Sequence, residues 1–329
     1  MVSAAAPSDD DLLATLARHA TRSESAGVRV VGVETVALKG GYVSKAVDRL
    51  DLTLETRDGA SLSASFVRKA CLAREVQALK VASAVPGVSA LPDVIAAWIS
   101  PERPDDPEAN GFVTPFYAGP ELHFGDPIPP AVIETLARVH AACADLASLG
   151  WTWTFDADHL ARLKANTVTA LGASERFKAT TPDHRAWLQR LDRAGGDELL
   201  AAATESLPRA LVHGDMHPGN IVRHVGGSPV IIDWGNVCVA PPMLDLANII
   251  AIGSADWDRY LAVYRAAGGV IDPTIARRGY WWARAATALL YVPWAAEHNS
   301  RAPDLIAQIE EANARLASDQ LAQPNPRVR

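Results

Sequence analysis

The segment Leu211–Val222, LVHGDMHPGNIV, decides how the rest of this chain is read. Apolar residues open and close it, yet between them stand His213, Asp215, His217 and Asn220. Such a cluster can serve a metal, a nucleophile or an anion cradle. The alternation of His213, Asp215 and His217 suits zinc or iron, which accept imidazole and carboxylate ligands. The remaining histidines form no second cluster, whereas VIIDWGN at 230–236 supplies another apolar strand ending in Asp233, 18 residues after Asp215. Two carboxylates and an amide oxygen, with no thiolate, make a hard donor set suited to magnesium, and magnesium commonly accompanies phosphates. A His/Asp metallohydrolase stays open as the rival at this point.

Bulk properties narrow the field. At 329 residues the chain can bury a large core, and its length favours two lobes over one. Apolar residues at 49% and charged residues at 21% are ordinary for a soluble globular protein. A formal net charge of -7 argues against a nucleic-acid partner, which requires a basic face to displace counterions. It is compatible with a cationic small molecule. Cys71, Cys143 and Cys238 stand far apart without a CxxC pair, so neither a disulfide framework nor a zinc spacing is expected. The acidic start MVSAAAPSDDDLL differs from a secretory signal, and no run approaches the ~20 apolar residues that span a bilayer. A cytoplasmic location and no membrane association follow as expectations, with the oligomeric state open between monomer and homodimer.

Along the chain, SDDDLLATLARHA reads as a helix capped by Ser8, its aspartates matching the positive end of the dipole. VRVVGVETVALK, AVDRLDLTLET and SLSASFVRK then read as three antiparallel strands, the second turn carrying Asp58 and Gly59. LAREVQALKVASAV has the helical spacing of Leu72, Val76 and Leu79, and DVIAAWI and GFVTPFYA are two more strands around a proline-rich acidic loop. After Gly119 the pattern is mostly helical to Ala317, interrupted by a short β-like island formed by the opening motif and SPVIIDW. The order is a β-rich part of about 110 residues, a connector and a helix-rich part, an α+β class. The tail from 319 to 329 is expected to lack order.

These segments together resemble a known family. His213, Asp215 and Asn220 match the catalytic-loop pattern H-x-D-x-x-x-x-N. HGDMHPGN followed by IIDW looks like the aminoglycoside phosphotransferase and choline kinase branch of the protein-kinase-like superfamily. KGGYVSK is similar to its nucleotide loop, FVRKA followed by REVQAL to its strand lysine and helix glutamate, and FVTPFYAG to its interlobe hinge. LARVHA and PPMLDLA resemble segments that follow the hinge and the metal aspartate.

The resemblance implies a two-lobe kinase-like fold: a nucleotide-binding lobe at 1–112, a hinge at 113–120 and a helical lobe with the catalytic and metal loops at 121–318. It implies Asp215 as the base for a substrate hydroxyl; the plainer alternative is a turn aspartate serving backbone donors. It implies Asn220 and Asp233 as ligands of Mg2+ bridging ATP phosphates, against the alternative of strand-end caps. Lys69 is implied to hold the phosphates with Glu75 as ion-pair partner, although Arg68 is adjacent and a one-residue slip would exchange their faces. Gly40, Gly41 and Ser44 would approach the phosphates, and adenine would pair with backbone near Pro115, Phe116 and Tyr117. His213 is a hydrogen-bonding brace in this reading, Asp245 stabilises the catalytic core, and the role of His217 is open. Ala240, Pro241 and Pro242 depart from the Gly-Asp-Pro of many members before that aspartate.

Trp151, Trp153, Trp281, Trp282 and Trp294, with Asp156 and Glu297, suit either an amine-binding wall or core packing. Asp245 follows Asp233 by only twelve positions, too few for a peptide-docking activation segment, so a small-molecule kinase is expected. Its acceptor would be an aminoglycoside or other antibiotic, choline, a sugar or an amino-alcohol. A nucleotide-binding pseudokinase is the non-enzymatic rival, disfavoured because every catalytic position holds a competent residue.

Overall fold

The computed structural model describes residues 2–21, 27–38, 46–144, 150–195, 198–224 and 227–321. Contacts divide the chain into two units, Met1–Thr135 with Pro218–Val237, and Leu136–His217 with Cys238–Arg329. The loop positions Gly40, Gly41 and Ser44 lie outside the described residues.

Period-two alternation builds the first unit. Its elements are β1 (Val2–Ser3), α1 (Asp9–Thr21), β2 (Arg29–Ala37), β3 (Ala46–Glu55), β4 (Ser61–Ala70), α2 (Ala73–Ser83), β5 (Ala96–Trp98) and β6 (Gly111–Pro115). The strands form one sheet in the order β1-β5-β6-β4-β3-β2, antiparallel except for the β1–β5 pair. In β3, Leu50, Leu52 and Leu54 share one face and are buried against Leu12, Leu16 and Ala17 of α1, with Phe66, Trp98 and Val113 completing the cluster. Each such leucine contributes about 1.5–3 kcal/mol through burial. Ser8 caps α1, accepting from the Asp11 N–H at 3.2 Å and donating to its carboxylate at 2.6 Å. Gly59, at φ 82°, makes the left-handed bend of the β3–β4 turn, a conformation glycine adopts without steric cost.

The β4 register separates two adjacent cations. Phe66 faces α1, so Arg68 shares that face and Lys69 takes the opposite one. Arg68 accordingly pairs with Asp48 across the strands at 3.1 Å and approaches Asp9 of α1 at 3.8 Å. Beside Lys69 the backbone is crowded: a Cβ on Gly111 would lie 2.5 Å from the Lys69 carbonyl and 2.6 Å from the Trp98 ring. The acidic loop before Gly111 is tied down by buried Asn110, whose amide donates to the Arg103 and Asp106 carbonyls and accepts from the Ser100 N–H. The two-residue β1 was not expected from the sequence, and β5 is shorter than DVIAAWI suggested.

Chain from α3 (Pro130–Ala142) leads into the helical unit, with α4 (Ala157–Ala173), α5 (Glu175–Thr180), α6 (His184–Gly195), α7 (Glu198–Ser206) and β7 (Ala210–Val212). The chain then re-enters the first unit as the hairpin β8 (Ile221–Val222) and β9 (Val230–Ile231). It returns with β10 (Cys238–Ala240), antiparallel to β7, then α8 (Ala255–Ala266), α9 (Pro273–His298) and α10 (Ala302–Leu321). Alanines at 283, 285, 286 and 288 let α9 be buried on several sides. The last helix runs to Leu321, beyond the expected end at 318; residues 322–329 of the expected tail lie outside the described residues. No helix among the described residues is long and apolar enough to cross a membrane.

Candidate active site

In the first unit the sheet presents Lys69 to α2. Its ammonium donates to Glu75, in the first turn of α2, at 2.6 Å and to Asp233 at 2.7 Å. The Lys69 and Glu75 side chains are 9% and 1% exposed, against 31% for Asp233. Burial favours the neutral amine, but the charges of Glu75 and Asp233 outweigh it and hold the Lys69 pKa above the ordinary lysine value. The Cys71 thiol beside this pair is pushed up by burial and by the Glu75 charge, which keeps it protonated and inert.

The β8–β9 hairpin sets the other half of this group. Ile221 pairs with Ile231, and the Asn220 carbonyl accepts the Ile232 N–H at 2.9 Å. Antiparallel pairing therefore brings Asn220 and Asp233 to the same end of the hairpin. Asp233 adopts φ 61°, ψ 61°, a left-handed conformation unusual for a non-glycine residue. Arg74 of α2 donates to the Gly235 carbonyl at 3.1 Å, holding the turn that follows. A carboxylate and an amide oxygen fit magnesium, which takes one or two protein oxygens and leaves its other positions for water and phosphate. Among the described residues no group of three or more His, Cys, Asp or Glu could hold a metal ion, the arrangement a His/Asp metallohydrolase needs.

At the end of β6, Phe116 donates its N–H to the Ser65 carbonyl at 2.9 Å and lies under the Arg49 guanidinium at 5.2 Å. The Tyr117 hydroxyl accepts the Asp93 N–H at 2.6 Å, and its ring meets His224 edge-on.

In the helical unit a fully buried Asp245 organises the turn after β7. Its carboxylate accepts the His213 N–H at 2.7 Å and the Gly214 N–H at 2.9 Å, and meets the His140 ring at 3.0 Å. His140 in turn contacts the Tyr260 hydroxyl at 3.0 Å. Burial works against the Asp245 charge, but the hydrogen bond and electrostatic attraction of His140 and the backbone donor at Gly214 prevail. They hold its carboxyl below the usual range. Gly214 sits at φ 82°, where its missing side chain permits both the bend and the approach to Asp245. The His213 ring accepts the Asp215 N–H at 3.3 Å. His217 is half-buried.

The Asp215 carboxylate accepts a hydrogen bond from the Tyr291 hydroxyl of α9. Sequence reading passed over Tyr291, which lies 76 positions away with no motif around it. It also gave no role to His140, although LARVHA was singled out. Among the tryptophans, Trp282 is fully buried with its indole N–H on Thr204 at 2.7 Å, and Trp281 lies under the Arg315 guanidinium. Asp156 is the N-cap of α4, accepting the His159 N–H at 2.7 Å. These residues have structural partners; Trp294 and Glu297 are exposed, the Trp294 ring stacking on His298.

The sequence model described as the phosphotransferase enzyme family matches residues 69–282, well over half of the chain. No curated protein matches. Among solved structures, a choline/ethanolamine kinase family protein from Mesorhizobium loti aligns at 20% identity and TM-score 0.50, covering 95% of this chain and 99% of its own. A Ralstonia eutropha jmp134 protein, provisionally assigned as an aminoglycoside phosphotransferase, aligns at 15% identity and TM-score 0.52, covering 93% and 98%. At these identities the two structures speak to the fold, which is the mixed α+β, kinase-like arrangement expected from the sequence.

Proposed function

Because the chain belongs to the phosphotransferase enzyme family, we propose that it transfers the γ-phosphoryl group of ATP to a hydroxyl of a small molecule. The observation that carries this reading is the buried contact of Lys69 with both Glu75 and Asp233, the latter 164 positions away in sequence. A strand lysine held by a helix glutamate and a loop carboxylate is a ready receptor for phosphate oxygens. Residues 1–112 serve the nucleotide, 113–120 link, and 121–318 carry the acceptor site.

Within that reading, Lys69 binds α- and β-phosphate oxygens as a charge that burial keeps undiluted by water. Glu75 fixes the ammonium, and Gly40, Gly41 and Ser44 contribute backbone and hydroxyl donors. Backbone groups around Phe116 and Tyr117 meet the adenine. Asn220 and Asp233 would hold magnesium, which when bound supplies positive charge against the phosphate oxygens. Asp215 accepts the acceptor's hydroxyl proton as oxygen bonds to phosphorus and ADP leaves. Asp245 keeps the His213–Asp215 turn in shape, so catalysis is mostly positioning and electrostatics.

A small acceptor is supported by the chain between Asp233 and Asp245. It is taken up by short 3-10 turns at Trp234–Asn236 and Pro242–Asp245 with β10 between them. No segment is left over there to dock a peptide.

The test is ADP release from Mg-ATP against a panel of hydroxylated amines, sugars and antibiotics, run beside Asp215→Ala. Turnover on one compound that vanishes in the variant supports the reading and names the acceptor class. If ATP and magnesium neither turn over nor raise thermal stability, the reading fails.

A further inference from the structure

The Tyr291 hydroxyl meets Asp215 directly and comes from a helix that carries an internal proline. Two residues after Tyr291, Pro293 stands inside α9. Proline has no N–H and its ring crowds the carbonyl four residues back, here Leu289. That carbonyl is not left unsatisfied: the buried Thr167 hydroxyl of α4 donates to it at 3.2 Å. The turn of α9 carrying Tyr291 is thus fixed by a second helix rather than by its own ladder alone.

We infer that Tyr291 is a positioning residue for the acceptor step, its hydroxyl holding the Asp215 carboxylate in the rotamer that meets the substrate. The inference rests on Asp215 as the base. A carboxylate on a two-torsion side chain samples several rotamers, and a donor from an immobilised helix removes that freedom before substrate arrives. Tyr291 does not replace Asp215 as the base. Burial first and the Asp215 charge second push its hydroxyl well above the ordinary tyrosine range, so it keeps its proton and only donates. In the transfer the acceptor O–H proton passes to Asp215, the acceptor oxygen bonds to the γ-phosphorus, and the bond to the ADP oxygen breaks.

The experiment uses the full chain with Mg-ATP and water as the acceptor, followed as basal ADP release, in the wild type, Tyr291→Phe and Tyr291→p-aminophenylalanine. Loss of the donor is expected to lower kcat about 10- to 100-fold, the scale of a misplaced catalytic group, with KM for Mg-ATP unchanged. The amino variant keeps a donor at the ring's para position and is expected to recover most of that loss, which a purely space-filling role would not predict. A crystal structure of Tyr291→Phe is expected to show Asp215 in a new or mixed rotamer. An unchanged kcat in Tyr291→Phe, a loss the amino variant leaves unrepaired, or Asp215 unmoved in the crystal would overturn the inference. A wild type that releases no ADP with water or with any acceptor of the panel, and gains no thermal stability from Mg-ATP, would instead overturn the phosphotransferase reading, and this inference with it.

Discussion

Replacing Asp245 with asparagine changes one oxygen to an amide and removes one charge, with almost no change in volume. The carboxylate meets the His213 N–H and the His140 ring through Oδ2, and the Gly214 N–H through Oδ1. The best orientation of the asparagine keeps its oxygen at the Oδ2 position and turns its amide toward the Gly214 N–H. Two donors then face each other in a place from which water is excluded. A hydrogen bond to a charged group contributes about 1.5–3 kcal/mol, and the two retained bonds weaken because they lose their charge assistance. Relief from burying a charge offsets part of this, leaving a destabilisation of about 3 kcal/mol. Urea denaturation of Asp245→Asn beside the wild type measures it, and phosphoryl transfer is expected to fall as well, since the same carboxylate shapes the Asp215 turn. A difference under about 1 kcal/mol would refute the account of Asp245 as an ionised organiser.

Further predictions follow from the same geometry. The Asp245 pKa is depressed in the folded protein, so its contribution is fully present above the unfolded carboxylate value of about 4 and disappears as pH falls through the folded value. The stability gap between wild type and Asp245→Asn should therefore be constant near neutrality and shrink on acidification below about pH 4; a widening gap would contradict this. Lys69→Met leaves two carboxylates facing each other without their cation, and is expected to cost about 3 kcal/mol and abolish the thermal shift produced by Mg-ATP. Adding Glu75→Gln to Lys69→Met should recover part of the stability, and strict additivity in that cycle would count against a coupled pair. Gly111→Ala forces a methyl group against the Lys69 carbonyl and the Trp98 ring, and should lower stability by about 1–3 kcal/mol. An effect in calorimetry no larger than that of an ordinary surface substitution would mean the strands separate more easily than their spacing suggests.

What could be read in the sequence was what repeats at short range. Leu50, Leu52 and Leu54 announced a one-sided strand, Asp58 and Gly59 its turn, and Ser8 the start of a helix, because each signal lies within a few residues of its structural consequence. The spacing of His213, Asp215, Asn220 and Asp233 pointed to phosphate chemistry for a similar reason. Faces of strands were harder: the resemblance favoured Lys69 over Arg68, but the physical ground for separating them is that Phe66 faces α1. Long-range partners carried no local mark. Tyr291 sits in an apolar helix like any core aromatic, and nothing in its neighbours announces a carboxylate 76 positions earlier. The two-residue β1 is too short for periodicity to register, and its pairing with β5 is decided by the sheet.

The left-handed backbone of Asp233 bears on how such a protein can change over evolutionary time. Among L-residues, asparagine and aspartate tolerate that region best and glycine occupies it freely, whereas glutamate has no local hydrogen bond to offset the strain. The substitution that preserves the charge is thus the one the backbone resists, while replacements that discard it leave the fold comfortable. Asparagine and glycine are each one nucleotide change away from aspartate. With Asp233 as the proposed metal ligand, a descendant of this chain could therefore lose that chemistry in a single step and remain well folded, a short path from catalyst to binding scaffold.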